Sequence, residues 1–353
     1  MNYIIGCDAH KSFSQFAIYE EISKKLKQVR VEHKSGAICD MLSQFPEGTP
    51  AALESIGNWY WIVDEIEAAG CIPLMAHAAK AKIMMGNVNQ TDKLDARGLT
   101  TLLRNGTLPT VWIAPGEIRD ERELPRTRMA LCKIRVSLKN RIHATLAKYN
   151  LSLETKSDIF AEKGGVELEK IIQELPSETQ KCVQQELELL NMLQEQILSL
   201  EERIRERIPV NRMMQLLKTL PGVGDILSIV IACEIGSVER FTSAENLASY
   251  AGVVPAVKSS GDKARYGHLP KQANHYLKWA YIEAANAVSS HYNYPNWRQK
   301  HVTLLYERLR RRKGHSVAAG AVARHLAEAS YWILTKKEPY QEPVRKKVLP
   351  RQE

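Results

Sequence analysis

Tyr3-Ile4-Ile5-Gly6-Cys7-Asp8 is a short apolar run closed by an acid, and the reading of the N-terminal region turns on it. Such a run has the length and composition of a strand, with the carboxylate at its end. Phe13 to Tyr19 and Leu26 to Val31 follow, alternating strongly enough to be two more strands of a meander. Ala51-Ala52-Leu53-Glu54 reads as a fourth strand, again ending on an acid. Trp59 to Ala69 has the period of an amphipathic helix stopped by Gly70, and Cys71 to Met75 reads as a fifth strand.

Three antiparallel strands, then strands alternating with helices, is the order of a ribonuclease-H-like α/β domain, assigned here to residues 1–113. Residues 114–209 read as helical almost throughout. Within them Leu190, Leu193, Ile197, Leu200 and Ile204 are spaced 3, 4, 3 and 4, a heptad seam of two heptads. So short a seam fits an intramolecular helical hairpin or a dimer contact, and the segment is expected to be a coiled-coil-like linker. A second, mostly α-helical domain is assigned to residues 210–336, with helices at about 270–290, 296–312 and 315–335. The polar, proline-containing tail of residues 337–353 is expected to be loose.

The acids fall at mechanically useful places. Asp8 and Glu54 end the first and fourth strands, while Asp92 and Asp95 stand at i and i+3, on one face of a helix that starts there. Four carboxylates brought together repel one another, and a hard divalent cation is the usual reason to assemble them. Mg²⁺ takes oxygen ligands and leaves positions for phosphate. Each acid also has an ordinary alternative. Asp92 could be an N-cap or first-turn acid, Asp95 could pair with Arg97 or Lys93, and Glu54 could be a solvated strand end.

The bulk composition is that of an ordinary globular protein, 44% hydrophobic and 25% charged. No apolar run reaches the roughly 18–20 residues that span a bilayer, and Met1 to Gly6 has no basic leader region, so a cytoplasmic protein with no membrane partner is expected. The six cysteines form no C-x-x-C pair, which argues against zinc fingers and a disulfide framework. The net charge is +9. Two runs carry much of the basic excess: Arg308, Arg310, Arg311, Arg312 and Lys313, and a looser set, Arg119, Arg122, Arg126, Arg128, Lys133, Arg135, Lys139 and Arg141. Each could be a solvated helix face; with the motifs, they point to phosphate contacts.

Two further segments bear on chemistry. Leu220-Pro221-Gly222-Val223-Gly224, between apolar helical stretches, reads as a helix-hairpin-helix whose Gly222 and Gly224 let the backbone approach a phosphate, or as a plain tight turn. Ser259-Ser260-Gly261 is followed by Lys263, Arg265, Lys271, Asn274 and Lys278. A serine beside glycine with cations after it could face a phosphate, but a hydroxyl needs activation, and from chemistry alone the segment reads first as a loop. There is no G-x-S-x-G elbow of an α/β-hydrolase.

Taken together, Gly6-Cys7-Asp8-Ala9-His10-Lys11, Leu53-Glu54-Ser55 and Thr91-Asp92-Lys93-Leu94-Asp95-Ala96 resemble the RuvC-like N-terminal domain of the 110-type insertion-sequence transposases, also called DEDD transposases. Leu220 to Gly224 and the stretch Ala251 to Ala285 resemble that family's C-terminal domain, and Piv-type DNA invertases look similar. The resemblance covers nearly the whole chain in the family's order. It implies that Asp8, Glu54, Asp92 and Asp95 are the four catalytic acids and hold Mg²⁺. It implies that Ser260, rather than Ser259, attacks DNA to give a phosphoserine link. It also implies double-stranded DNA at element ends and target, a structured bridge RNA as guide, and assembly as a dimer of dimers. The chain departs from the family's pattern at Ala273, where a glycine is usual, at Lys278, where an arginine is usual, and at Pro270, where a hydroxyl residue is common. Lys278 keeps the charge without the bidentate grip of arginine.

The resulting expectation is a transposase that cuts and rejoins DNA, with contacts from Gly222, Gly224, Lys263, Arg265, Lys271, Asn274, Lys278, Arg308, Arg310, Arg311 and Arg312. Its rivals are a RuvC-like metal-dependent nuclease such as a junction resolvase, a Piv-like site-specific invertase, and a non-catalytic nucleic-acid scaffold.

Overall fold

Strand β1 (Tyr3–Ala9) pairs antiparallel with β2 (Phe13–Glu20), which pairs antiparallel with β3 (Lys25–Glu32), giving the expected meander. The computed structural model describes residues 2–55, 57–86, 91–152, 158–260 and 263–343, with residues 162–163, 258–260 and 263–264 given by their backbone alone. The chain divides into two units, Met1–Ala114 and Pro115–Glu353.

In the first unit, α1 (Ala37–Leu42), β4 (Pro50–Glu54), α2 (Trp59–Ala68), β5 (Ile72–Ala76), α3 (Ala78–Met85), α4 (Asp92–Arg104) and the two-residue β6 (Thr110–Val111) follow the meander. The sheet order is β3-β2-β1-β4-β5-β6, with β4 and β5 parallel to β1 and β6 antiparallel. This is a ribonuclease-H-like arrangement, and the five expected strands lie within a residue or so of where the sequence placed them, while β6 was not foreseen.

The two faces of the sheet have different duties. Ile5 and Cys7 of β1, with Leu53 of β4, point into a core closed by Ile38 and Leu42 of α1 and Ile62, Val63 and Ile66 of α2. Because side chains alternate, Gly6 and Asp8 point to the other face. There α4 crosses the sheet at Gly6: a Cβ on Gly6 would lie 2.3 Å from the carbonyl oxygen of Ala96. The Thr100 hydroxyl, buried at the same crossing, donates to the carbonyls of Ala17 and Ala96. The bare backbone at Gly6 therefore fixes how close α4 comes to the strand that carries Asp8.

Among the described residues, the second unit is helical apart from one hairpin. It comprises α5 (Gly116–Lys148), α6 (Glu162–Ile172), α7 (Ser177–Arg207), α8 (Arg212–Leu217), α9 (Asp225–Ile235), α10 (Ala244–Tyr250), the hairpin β7 (Val257–Ser260) and β8 (Lys263–Tyr266), then α11 (His275–His291), α12 (Pro295–Arg298), α13 (His301–Lys313) and α14 (His315–Lys336). The heptad seam packs within the chain: Leu190, Leu193, Ile197 and Ile204 are buried, and α7 runs antiparallel to α5. Arg128 donates to Glu201, Arg135 to Gln194 and Arg141 to Glu186, stitching the two helices along their length. The observed element is a helical hairpin, as the shortness of the seam allowed. α14 is central to the remaining helices; its Ala318, Ala319, Ala323 and Ala327 let neighbouring helices pack closely.

The tail differs from expectation over its first residues. Tyr340 packs against the core, its backbone N–H donates to the Thr219 hydroxyl, and the Glu342 carboxylate accepts from the His301 backbone N–H at the start of α13. An aromatic side chain and a helix-capping acid thus dock residues 337–343, which composition alone had marked as loose. The rest of the tail lies outside the described residues. No described helix is long and apolar enough to cross a membrane.

Candidate active site

Four carboxylates converge at one end of the sheet because of strand parity and one close helix. The register Cys7↔Leu53 between parallel β1 and β4 sets Asp8 beside Glu54. Glu54 shares its face with Ala52, which packs on the α4 side, so both acids face α4. That helix begins at Thr91, whose hydroxyl accepts from the Leu94 N–H as N-cap, leaving Asp92 and Asp95 in the first turn. The N-cap is therefore Thr91 and not Asp92. Among the described residues no ion pair joins Asp95 to Lys93 or Arg97.

Asp8, Glu54 and Asp95 line one cavity of about 290 Å³ with Ala78, Ala79, Lys82 and Met85. Asp92 is not among the residues lining this cavity, but it neighbours Asp8 through His10. The His10 Nε2 lies 3.2 Å from Asp8 Oδ2 and 3.3 Å from Asp92 Oδ1. One donor atom each from Asp8, His10 and Asp92 fall within 4.8 Å of one another.

The electrostatics are those of an anionic cluster short of positive charge. Burial pushes the Asp8 carboxyl up to about 6; His10 opposes this, and Asp95 and Asp92 add to it. Burial also raises Glu54, followed by repulsion from Asp8 and Asp95, with Lys82 pulling the other way. Hard oxygen donors held together against their own repulsion fit a divalent cation, which would neutralise them. Asp8, Glu54 and Asp95, with Asp92 at the rim, are the residues that could hold it.

The serine segment forms a hairpin. Ser259 pairs with Ala264 and Ser260 with Lys263, so Ser260 is the last residue of β7 before the turn. The Ser260 and Lys263 side chains, and Gly261 with Asp262, lie outside the described residues. The base of the hairpin is closed by Gly267 N–H donating to Ala256 O and Ala256 N–H donating to His268 O.

Comparison with known proteins gives this arrangement a context. Residues 5–151 match the model of the DEDD transposases of the IS110 type, described as "Transposase", and residues 214–302 match the "Transposase IS116/IS110/IS902 family". The chain belongs to the IS110 family of transposases. It is 26% identical to the transposase for insertion sequence element IS1111A of Coxiella burnetii, over 71% of this chain and 68% of that protein. It is 23% identical to a probable family 20 transposase of Pseudomonas aeruginosa, over 73% and 76% of the two chains. It is 24% identical to the transposase for IS1328 of Yersinia enterocolitica, over 70% and 72%. As an insertion-sequence transposase it is an enzyme that cuts and rejoins DNA, and a divalent metal is typical of DEDD transposases.

Several residues of this transposase that the sequence assigned to nucleic acid have work inside the fold. Gly222, with φ +83°, lies against α11, and a Cβ there would be 2.3 Å from the Ala284 carbonyl oxygen. Asn274 is the N-cap of α11: its Oδ1 accepts from the N–H groups of Tyr276 and Leu277, and its Nδ2 donates to Glu234 and to the Tyr250 hydroxyl. Lys278 donates to the Pro270 carbonyl. Ala273 meets Gly252 so closely that a Cβ on Gly252 would lie 2.3 Å from the Ala273 methyl. The bare Gly252 thus accommodates the Ala273 methyl.

Several cations of the run Arg119 to Arg141 also have partners inside the fold. Arg122 donates to the carbonyls of Cys233 and Glu234, and Arg126 donates to the buried Glu234 carboxylate at 2.8 Å. Lys139 pairs with Asp158, and Arg128 and Arg141 pair across the helical hairpin. Acids distant in sequence supply these partners, so charge spacing along α5 could not show them. By contrast, Arg308, Arg310, Arg311 and Arg312 are exposed on the last turns of α13, with Arg310 stacked over Tyr292, and Gly224, Arg265 and Lys271 are also exposed.

Two site residues went unread in the sequence. His10 stands two residues past Asp8 in what reads as a turn; its position beside a strand-end acid was the available signal. Lys82 has no such signal, since nothing local ties α3 to Glu54.

Proposed function

We propose that this transposase breaks and rejoins double-stranded DNA through a covalent link to Ser260, assisted by Mg²⁺ at Asp8, Glu54, Asp92 and Asp95, with a bridge RNA choosing the sites. The observation that carries this reading is the convergence of Asp8, Glu54 and Asp95 on one cavity, with Asp92 beside it, in a chain of this family. The Ser260 oxygen bonds to the scissile phosphorus, and the bond from phosphorus to the departing deoxyribose oxygen breaks. That oxygen takes up a proton, and the phosphodiester is conserved as a phosphoserine ester. Attack by a deoxyribose hydroxyl of the new partner releases Ser260 and completes the exchange. A divalent ion supplies neutralisation of the charge that gathers on the phosphate oxygens. Lys82, at the same cavity, adds positive charge beside Glu54.

The exposed cations Arg308, Arg310, Arg311 and Arg312, with Arg265 and Lys271, would meet phosphates in a manner independent of sequence. Recognition of sequence is left to base pairing with the RNA. Assembly as a dimer of dimers would supply two ends and a target at once.

The test is a denaturing gel of full-length protein incubated with Mg²⁺, its co-purifying RNA and labelled DNA. A covalent protein–DNA adduct that Ser260→Ala abolishes supports the reading. Cleavage to free ends with no adduct would instead make the protein a water-using nuclease of the junction-resolvase kind.

A further inference from the structure

We propose that His10 is a ligand of the ion held by Asp8 and Asp92, and that its imidazole makes the site prefer Mn²⁺ to Mg²⁺. The inference rests on the carboxylate site described above being a metal site.

The ring is held in place from three directions. The His10 backbone N–H donates to Phe13 O at 2.8 Å, closing a tight turn directly after β1. Its carbonyl accepts from Asn58 Nδ2 at 2.9 Å. Its imidazole lies against the Phe13 ring, with centroids 4.6 Å apart. These contacts direct Nε2 between two carboxylates, and Nε2 itself is shielded from solvent.

Nε2 lies 3.2 and 3.3 Å from the two carboxylate oxygens yet makes a well-formed hydrogen bond to neither. A ring nitrogen shielded from water and set between two carboxylates is thus left without a partner. A cation inside the triangle supplies that partner by letting a bare nitrogen lone pair and both carboxylates point inward. The two nitrogen–oxygen spacings agree: neighbouring ligands of an octahedral ion with bonds of about 2.1 Å stand about 3 Å apart. Carboxylate oxygens alone suit Mg²⁺, whereas an imidazole nitrogen favours a first-row transition ion. Of these, Mn²⁺ also keeps the octahedral, oxygen-tolerant geometry that the carboxylates require.

The experiment uses the full-length protein with Mn²⁺ alone as the probe. Pulsed electron paramagnetic resonance of the Mn²⁺-loaded wild type should show coupling to a directly bound imidazole nitrogen, and His10→Gln should lose it. Titration calorimetry should show the Mn²⁺ affinity of His10→Gln falling at least about tenfold while its Mg²⁺ affinity changes by less than about threefold. Bound Mn²⁺ without nitrogen coupling in the wild type overturns the role of His10 and leaves the carboxylate site standing. Equal weakening of both ions by the substitution also overturns the preference. Absence of any Mn²⁺ or Mg²⁺ binding by the wild type would remove the metal site itself.

Discussion

Gly222 lies so close to Ala284 that a Cβ built on it would stand 2.3 Å from the Ala284 carbonyl oxygen. The two residues lie far apart in sequence, one in the Pro-Gly-Val-Gly turn and the other on α11. The turn that looks built for a phosphate is therefore, at its first glycine, built for a helix.

Gly222→Ala should destabilise the protein by about 2–4 kcal/mol, combining a strained positive φ with a clash against backbone that cannot move aside. Gly224 has a negative φ and open space around its Cα. Gly224→Ala should then cost less than about 1 kcal/mol. Chemical denaturation of the two variants checks this, and equal stabilities would refute the packing account. A Gly224→Ala protein that stays stable yet binds DNA more weakly would locate the phosphate contact of the turn at its second glycine.

Asn274 and Glu234 make a similar point about charge. The Asn274 amide donates to the buried Glu234 carboxylate at 2.8 Å while its oxygen caps α11. Asn274→Asp keeps the cap oxygens but sets a second carboxylate against Glu234. The variant should be destabilised by about 2–4 kcal/mol at pH 7. Thermal melts of the variant and the wild type test this, and a loss of less than about 0.5 kcal/mol would argue against the facing pair. If Asn274 instead served only to contact DNA, the substitution would leave the melting temperature unchanged.

The raised Asp8 carboxyl gives the metal-free protein a pH signature of definite sign. Its folded value, about 6, lies above the ordinary value of an aspartate. Between about pH 4 and 6 the folded state keeps a proton that the unfolded chain has released, so the Asp8 contribution is present at low pH and lost as pH rises. Melts in a chelator should show this fall over that window, and Asp8→Asn should flatten it. Adding Mg²⁺ should restore stability above about pH 6, and the apparent Mg²⁺ affinity should weaken as pH drops below that value. A wild-type pH profile identical to that of Asp8→Asn would remove the Asp8 part of the argument.

Much of this was legible in the sequence for local reasons. Strand parity is local, so Ile5, Cys7 and Leu53 on one face and Gly6 and Asp8 on the other follow from alternation alone. The i, i+3 spacing of Asp92 and Asp95 is likewise local once the helix start is known. What could not be read depends on partners far along the chain. Arg122 and Arg126 look like a basic helix face until Glu234 is placed against them. Gly222 looks permissive until Ala284 is placed beside it. Lys82 and His10 join the acids only through the packing of α3 and the turn after β1. The short strands β7 and β8 were missed because Ser-Ser-Gly has turn chemistry and gives little sign of the strands flanking it.

The last prediction concerns Ser260 and Asp8, which belong to different units of the chain. A serine hydroxyl is a weak nucleophile at neutral pH, and the proposal gives it no neighbouring base; the help must come from charge stabilisation at the phosphate. Ser260→Ala should therefore abolish the covalent adduct and reduce recombination by at least about a thousandfold, while DNA and RNA binding persist. Asp8→Asn should do the same to cleavage for a different reason, since the amide keeps the shape of the acid and removes its charge. Ser259→Ala should have a smaller effect if, as proposed, Ser260 is the nucleophile. If two subunits contribute to each site, one supplying carboxylates and the other serine, a mixture of Ser260→Ala and Asp8→Asn proteins should regain part of the activity that neither has alone. Recombination assays on the separate and mixed proteins decide between the arrangements. An adduct formed by Ser260→Ala would end the nucleophile assignment, whereas an inactive mixture would mean that each chain builds its own site.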